Sequence, residues 1–324
     1  DAVRLVAVPL PDGQLAELEL RRVDLDRLGI AIHVDGAPWS DALAHLGLSV
    51  WMGTLAGQPG SEVALSFSQF GSRGWVKRGG EAFHLIPVAG EGGDWSNGGV
   101  RFVSERTLLA EGLEPRSFCA SEELGQQLLG KLGEAGVHPT QVPGGQIAQS
   151  VDLLELPLSI DCDYQLFQLF GDLSAEMAYI TTLLSWVSAR YEEQISTVFT
   201  YPYLNFWSTS NDPWVAPDDP DSYDCVDLLY ELQALWQFNI PGGGLIGHVI
   251  SGAPLGCGVA WLPGVCNDPY NFSVSSHLDG QVQFPVQQQP DNWDFIVVAH
   301  EIGHNLNAPH THDYCPPLDE CAPS

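Results

Sequence analysis

The stretch Val298-Ala299-His300-Glu301-Ile302-Gly303-His304-Asn305-Leu306-Asn307-Ala308-Pro309-His310 decides how the rest of the chain is read. Apolar residues at helical spacing predict a helix over about 294–306. Four residues make roughly one helical turn, so His300 and His304 project from the same face. Two imidazoles so placed can share one Zn²⁺, while Glu301 beside them is aimed at a water rather than at the metal. For His310 to swing back to the same ion, the helix must end first. Ending it calls for a residue that tolerates positive φ, and Asn is second only to Gly there, so Asn307 is the expected turning point. Pro309 prevents the helix from resuming.

Upstream of this stretch the chain alternates strand and helix. Residues 153–160 read as a buried strand, and Leu166, Leu169, Phe170, Leu173, Met177, Ile180, Leu184 and Val187 recur at helical spacing up to Arg190. A strand over 195–201, a helix over 226–236 after the acidic run 218–224, and strands at 245–250 and 258–262 follow. This is an α/β pattern over 151–324. The first ~110 residues instead read as short strands: Val63, Leu65 and Phe67 alternate with Ala64, Ser66 and Ser68, Asp35-Gly36 signals a turn, and Gly79-Gly80 a hairpin. Residues 71–74 read as a break in the pattern. Between the halves, 122–132 reads as a short helix and 136–150 is rich in Gly, Pro and Gln. A linker over 120–150 therefore separates a β-rich unit, 1–119, from the α/β unit.

The 324 residues carry 41 acidic and 12 basic side chains, a formal net charge of −29. From residue 151 onward Arg190 is the one basic side chain. Nucleic-acid backbones and anionic membranes are poor partners for such a surface, because binding them needs Lys and Arg to displace counterions. No apolar run approaches the ~18 residues of a membrane span. Hydrophobic residues make up 44%, ample for packed cores. Cys119 stands alone in the first half; Cys162, Cys225, Cys257, Cys266, Cys315 and Cys321 lie in the second, which points to disulfides and export from the cell. Cys257–Cys266 is the favoured pairing, with Cys162–Cys225 and Cys315–Cys321 completing a set.

His300 to His310 resembles the metzincin zinc signature HExxHxxGxxH, with Asn307 in the place of its Gly. His312 is a rival third ligand that fits the signature's spacing less well. The likeness extends to the reprolysin (adamalysin) branch. Residues 154–161 with Tyr164 look like its first strand and helix entry. Asn205-Phe206-Trp207-Ser208 with Asp212 looks like its Trp-Ser segment, and Gly258-Val259-Ala260-Trp261 before Cys266 like its substrate-side strand. Trp51-Met52-Gly53, residues 61–66, Gly74 and His84-Leu85-Ile86 look like a reprolysin pro-domain. Two departures stand out. Thr311 follows His310 where reprolysins place Asp, and no methionine follows His310 to make a Met-turn, Met52 and Met177 being the only two. The natural polypeptide is therefore expected to continue past Ser324, the C-terminal subdomain to be truncated, and the 324 residues alone to cleave poorly.

The resemblance implies a metzincin-like α/β catalytic domain, a mixed sheet with a long zinc-binding helix, behind a β-rich pro-domain that inhibits it. It implies a secreted zinc endopeptidase acting on extended protein or peptide substrates, with His300, His304 and His310 as ligands and Glu301 as general base. Gly258, Val259, Ala260 and Trp261 would form an edge strand that binds substrate. Cys119 is a candidate cysteine switch, because a thiolate suits an open zinc position. Glu155 and Asp212 match acidic calcium ligands of reprolysins, so Ca²⁺ is a candidate second ion. The rival readings are a zinc hydrolase of small amides or cell-wall peptides, and a catalytically weak binding module.

Overall fold

Sequence alternation becomes a sheet in the first half. In the computed structural model, which describes residues 2–79, 81–88, 90–93, 97–110, 153–280 and 293–310, strands β1 (Ala2–Pro9), β2 (Leu15–Arg22), β5 (Ser49–Leu55), β6 (Glu62–Ser68), β7 (Gly71–Arg78), β8 (Glu81–Val88) and β9 (Gly99–Ser104) pair in that order, antiparallel throughout. Within β2, Ala16, Leu18 and Leu20 are buried while Glu17 and Glu19 face water, the period-2 pattern of a half-buried strand. The glycine stretch at 71–74, expected to break the run, opens β7 instead. Gly74 sits at φ 149°, and a Cβ there would lie 2.1 Å from the Ala64 carbonyl oxygen, so the glycine permits close strand approach. The expected linker 120–150, the helix within it, Cys119, His312, Cys315 and Cys321 lie outside the described residues.

Two further strands of the first half, β3 (Ile32–Val34) and β4 (Ala37–Pro38), leave that sheet. Asp35 and Gly36 between them have φ of 48° and 78°, the left-handed pair that closes a tight hairpin. The hairpin joins a second, mixed sheet of order β13-β14-β12-β10-β11-β3-β4, with β10 (Leu154–Cys162), β11 (Thr197–Phe206), β12 (Ile246–Ile250), β13 (Gly258–Ala260) and β14 (Phe272–Ser275). Neighbours run parallel from β14 through β12, β10 and β11 to β3; β13 on β14 and β4 on β3 are antiparallel. The result is a mixed α/β fold.

Six described helices complete it: α1 (Ala42–Leu46), α2 (Glu105–Ala110), α3 (Tyr164–Phe170), α4 (Leu173–Ile195), α5 (Cys225–Trp236) and α6 (Trp293–Asn305). The single helix expected over 166–190 is two. Gly171 turns left-handed at φ 62°, and the Asp172 side chain caps α4 by accepting from the backbone N–H groups of Ser174 and Ala175. The apolar spacing runs on across this break, so it gave no sign of it. In α5 the last of the acidic run, Asp224, caps the helix reciprocally with Asp227.

Helix α4 lies between the two sheets, and every residue from Ala175 to Ala189 is buried. One core takes Ile32, Val50, Ala64 and Trp75 from the first half and Met177, Trp186, Phe199, Val298 and Ile302 from the second. A separate core packs α5 against the other sheet face. That division corrects the expected disulfides. Cys162 belongs to the first core and is free, whereas Cys225 and Cys257 share the second and are bonded, with Cα atoms 5.8 Å apart. Cys266 is an exposed free thiol. No described helix is long and apolar enough to cross a membrane.

Candidate active site

Helix α6 is fixed at both ends by groups that satisfy its unpaired backbone and its polar neighbours. In the first turn, Asp294 accepts from the backbone N–H groups of Asp279 and Gly280, each at 3.1 Å, and from the Tyr179 hydroxyl. At the other end Asn307 takes φ 70°, as its place between the ligands requires. The Ala308 N–H then bonds the Gly303 carbonyl at 3.0 Å and the Asn307 N–H the His304 carbonyl at 2.9 Å, the pair of bonds that marks a Schellman stop. Buried Asn305 donates through Nδ2 to the carbonyls of Trp261 and Phe272, both at 3.0 Å, while its backbone carbonyl accepts from the N–H groups of Gly264 and Val265. The helix is thus stapled to the strand end that leads away from β13.

These constraints bring the three imidazoles together. Ligating atoms of His300, His304 and His310 all lie within 4.8 Å of one another, the one such group of three among the described residues. Nε2 of His300 is 3.3 Å from Nε2 of His310. Two nitrogens each ~2.0–2.1 Å from one tetrahedral ion stand about 3.3 Å apart, so this spacing would suit a shared metal. Nδ1 of His304 lies 2.7 Å from the Ala308 carbonyl; a proton donated there leaves Nε2 as the ligand atom. Burial, reinforced by the neighbouring rings, pushes His300 down to about 3, so it is neutral and its lone pair available at physiological pH. Neutral nitrogen donors converging on one point fit Zn²⁺.

The Glu301 carboxyl reaches β13. It is buried, and burial holds its carboxyl well above the usual carboxylate range. Its Oε1 lies 2.4 Å from where a Cβ on Gly258 would stand, so only glycine lets the strand pass so close to the carboxyl. On the far side, the Tyr191 hydroxyl of α4 donates to the Ala299 carbonyl at 2.7 Å, just before the first ligand.

Gly258, Val259 and Ala260 form β13, the terminal strand of the mixed sheet, and Trp261 follows directly. The strand lies at the expected edge, beside Glu301. The candidate calcium ligands are not brought together. Glu155 opens β10, whereas Asp212 accepts from the Tyr164 N–H at 2.8 Å beyond the other end of that strand. Seven strand residues span roughly 23 Å, too far for one ion. Sequence reading missed Asn305, Tyr191 and Asp294. Asn305 follows the second ligand directly, and a short amide among apolar helix positions was the available signal.

The family description Reprolysin_5, metallo-peptidase family M12, matches residues 155–324. No curated protein matches the chain. A crystal structure of metalloproteinase-II from Bacteroides fragilis aligns over 97% of this chain and 83% of its own, at 12% identity and a TM-score of 0.46.

Proposed function

The chain belongs to metallo-peptidase family M12, and from that premise we propose that it is an exported zinc endopeptidase in which His300, His304 and His310 hold the ion and Glu301 is the general base. The observation that carries this reading is the convergence of the three rings, with the buried Glu301 next to the first of them in the sequence. Zinc held there would lower the pKa of a water and polarise the scissile carbonyl. Glu301 accepts the proton of the attacking water and passes it to the departing amine nitrogen.

β13 is the natural place for substrate. It is three residues long, paired among the described residues on one side only, and Gly258 sets its backbone against Glu301. An extended peptide adding to that edge would bring its own carbonyl alongside the carboxyl, which favours protein substrates over small amides. The Cys225–Cys257 disulfide supports export, because such bonds persist in oxidising surroundings. Residues 1–119 take the place of a pro-domain, and Cys119 is retained as a candidate latency thiol: Cys119→Ser should raise activity of the uncut chain if it is one.

Glu301→Gln should bind one zinc per chain by metal analysis and lose ~10²–10⁴-fold in turnover of an unstructured protein. His304→Ala should lose the metal as well. A Glu301→Gln protein that still cleaves would exclude the assigned base.

A further inference from the structure

The two halves of the chain do not meet as neighbours across a surface; they share an interior. The β3–β4 hairpin supplies two of the seven strands of the mixed sheet, pairing in parallel with β11. Its turn is locked to the second half. The Asp35 carboxylate accepts from the Ser208 N–H and hydroxyl at 2.9 and 2.7 Å, and the Gly36 N–H donates to Asn205 at 3.0 Å. Asn205 in turn donates to buried Asp161. On the other side of α4, Trp75 packs edge-on against Trp186, ring centroids 4.6 Å apart, and the Ser66 and Thr182 hydroxyls meet at 2.8 Å, both buried.

Charge is divided in the same way. Arg190, the second half's one base, pairs with Glu62, and Arg27 reaches back to Glu192 at 3.0 Å. Most telling is Arg73. It is 3% exposed, its guanidinium lies 4.7 Å over the Tyr179 ring, and Tyr179 donates to Asp294 in the first turn of α6. A cation buried on β7 therefore stacks on the tyrosine whose hydroxyl donates to Asp294, in the first turn of the helix that carries His300 and His304. Trp75, two residues on, reaches Phe295 of the same helix, centroids 6.5 Å apart.

We propose that the N-terminal half is a permanent partner of the peptidase half: when the chain is cut between them, residues up to 110 stay bound to α4 and to the β11 edge, and Arg73 continues to position α6. Removing that half would open the apolar flank of a helix buried through fifteen consecutive residues, Ala175 to Ala189, and leave Asp294 without its facing cation.

The test uses the full chain carrying a specific protease site within residues 139–145. After cutting, both fragments should co-elute at one-to-one ratio on a sizing column and separate only in denaturant. Elution of the N-terminal fragment apart from a soluble, cooperatively melting second half would overturn the proposal. Arg73→Met and Trp75→Ala in the uncut chain should each speed hydrogen exchange at α6 amides at least tenfold, with Arg73→Lys restoring part of the loss. Unchanged exchange in all three would remove Arg73's role. None of these readouts involves peptide cleavage, so failure of the peptidase reading would leave them standing.

Discussion

At the residue scale the site turns on what is missing as much as on what is present. Gly258 has no side chain, and that absence lets β13 pass close to the Glu301 carboxyl. Gly258→Ala would put a methyl 2.5 Å from Val297 Cγ2 as well as against the Glu301 carboxyl, so either the strand or the carboxyl must move. Movement of the strand weakens substrate binding; movement of the carboxyl slows the proton transfer. The expected outcome is a zinc-loaded protein with turnover reduced roughly 10²-fold, in keeping with the sensitivity of such sites to ångström displacements. Metal analysis beside a kinetic assay checks it, and full activity would show that Glu301 has room to spare.

At the scale of elements, the end of α6 makes the site. Asn307→Val would place a β-branched residue at φ 70°, costing about 1–2 kcal/mol. It should lower the melting temperature and the zinc affinity together, whereas Asn307→Gly should preserve both. This part of the site was legible in the sequence, because His300, His304, Asn307 and His310 lie within eleven residues and helix geometry alone relates them. What needed tertiary information was not legible. The break at Gly171 hides inside an unbroken apolar spacing. Cys225 and Cys257 are 32 residues apart and find each other only because both fall on the α5 face of the sheet. The pairing of Glu155 with Asp212 rests on the reprolysin resemblance, which does not tell which end of β10 each side chain lies nearest. The β3–β4 hairpin gave its turn, Asp35-Gly36, but not the sheet it would join.

At the scale of the whole molecule, buried titratable groups pull stability in opposite directions. Burial holds His84 at about 4 and His248 at about 3, against 6.5 for a free imidazole. Their contribution is present above 6.5 and is lost as pH falls from there toward 3. Burial raises Asp163 to about 7 and Asp161 to about 8, from 3.8. The folded chain keeps those protons when the unfolded chain has released them, so that contribution is lost as pH rises from 3.8 through 8. The two trends offset each other between pH 4 and 6.5, and above 6.5 only the carboxyls change. Stability should therefore fall by roughly 1–3 kcal/mol between pH 6.5 and 8.5. Thermal melts across that range check it, and Asp161→Asn should flatten the slope.

The ion pair of Arg190 with Glu62 has one more consequence. Trypsin and its relatives cut after basic residues, and Lys131 is the last of these before the second half. Beyond it they find a single bond to attack, inside α4, with its arginine already engaged. From residue 132 onward such enzymes would find no other Lys or Arg. The scarcity of basic side chains thereby leaves the second half few places to be cut by them.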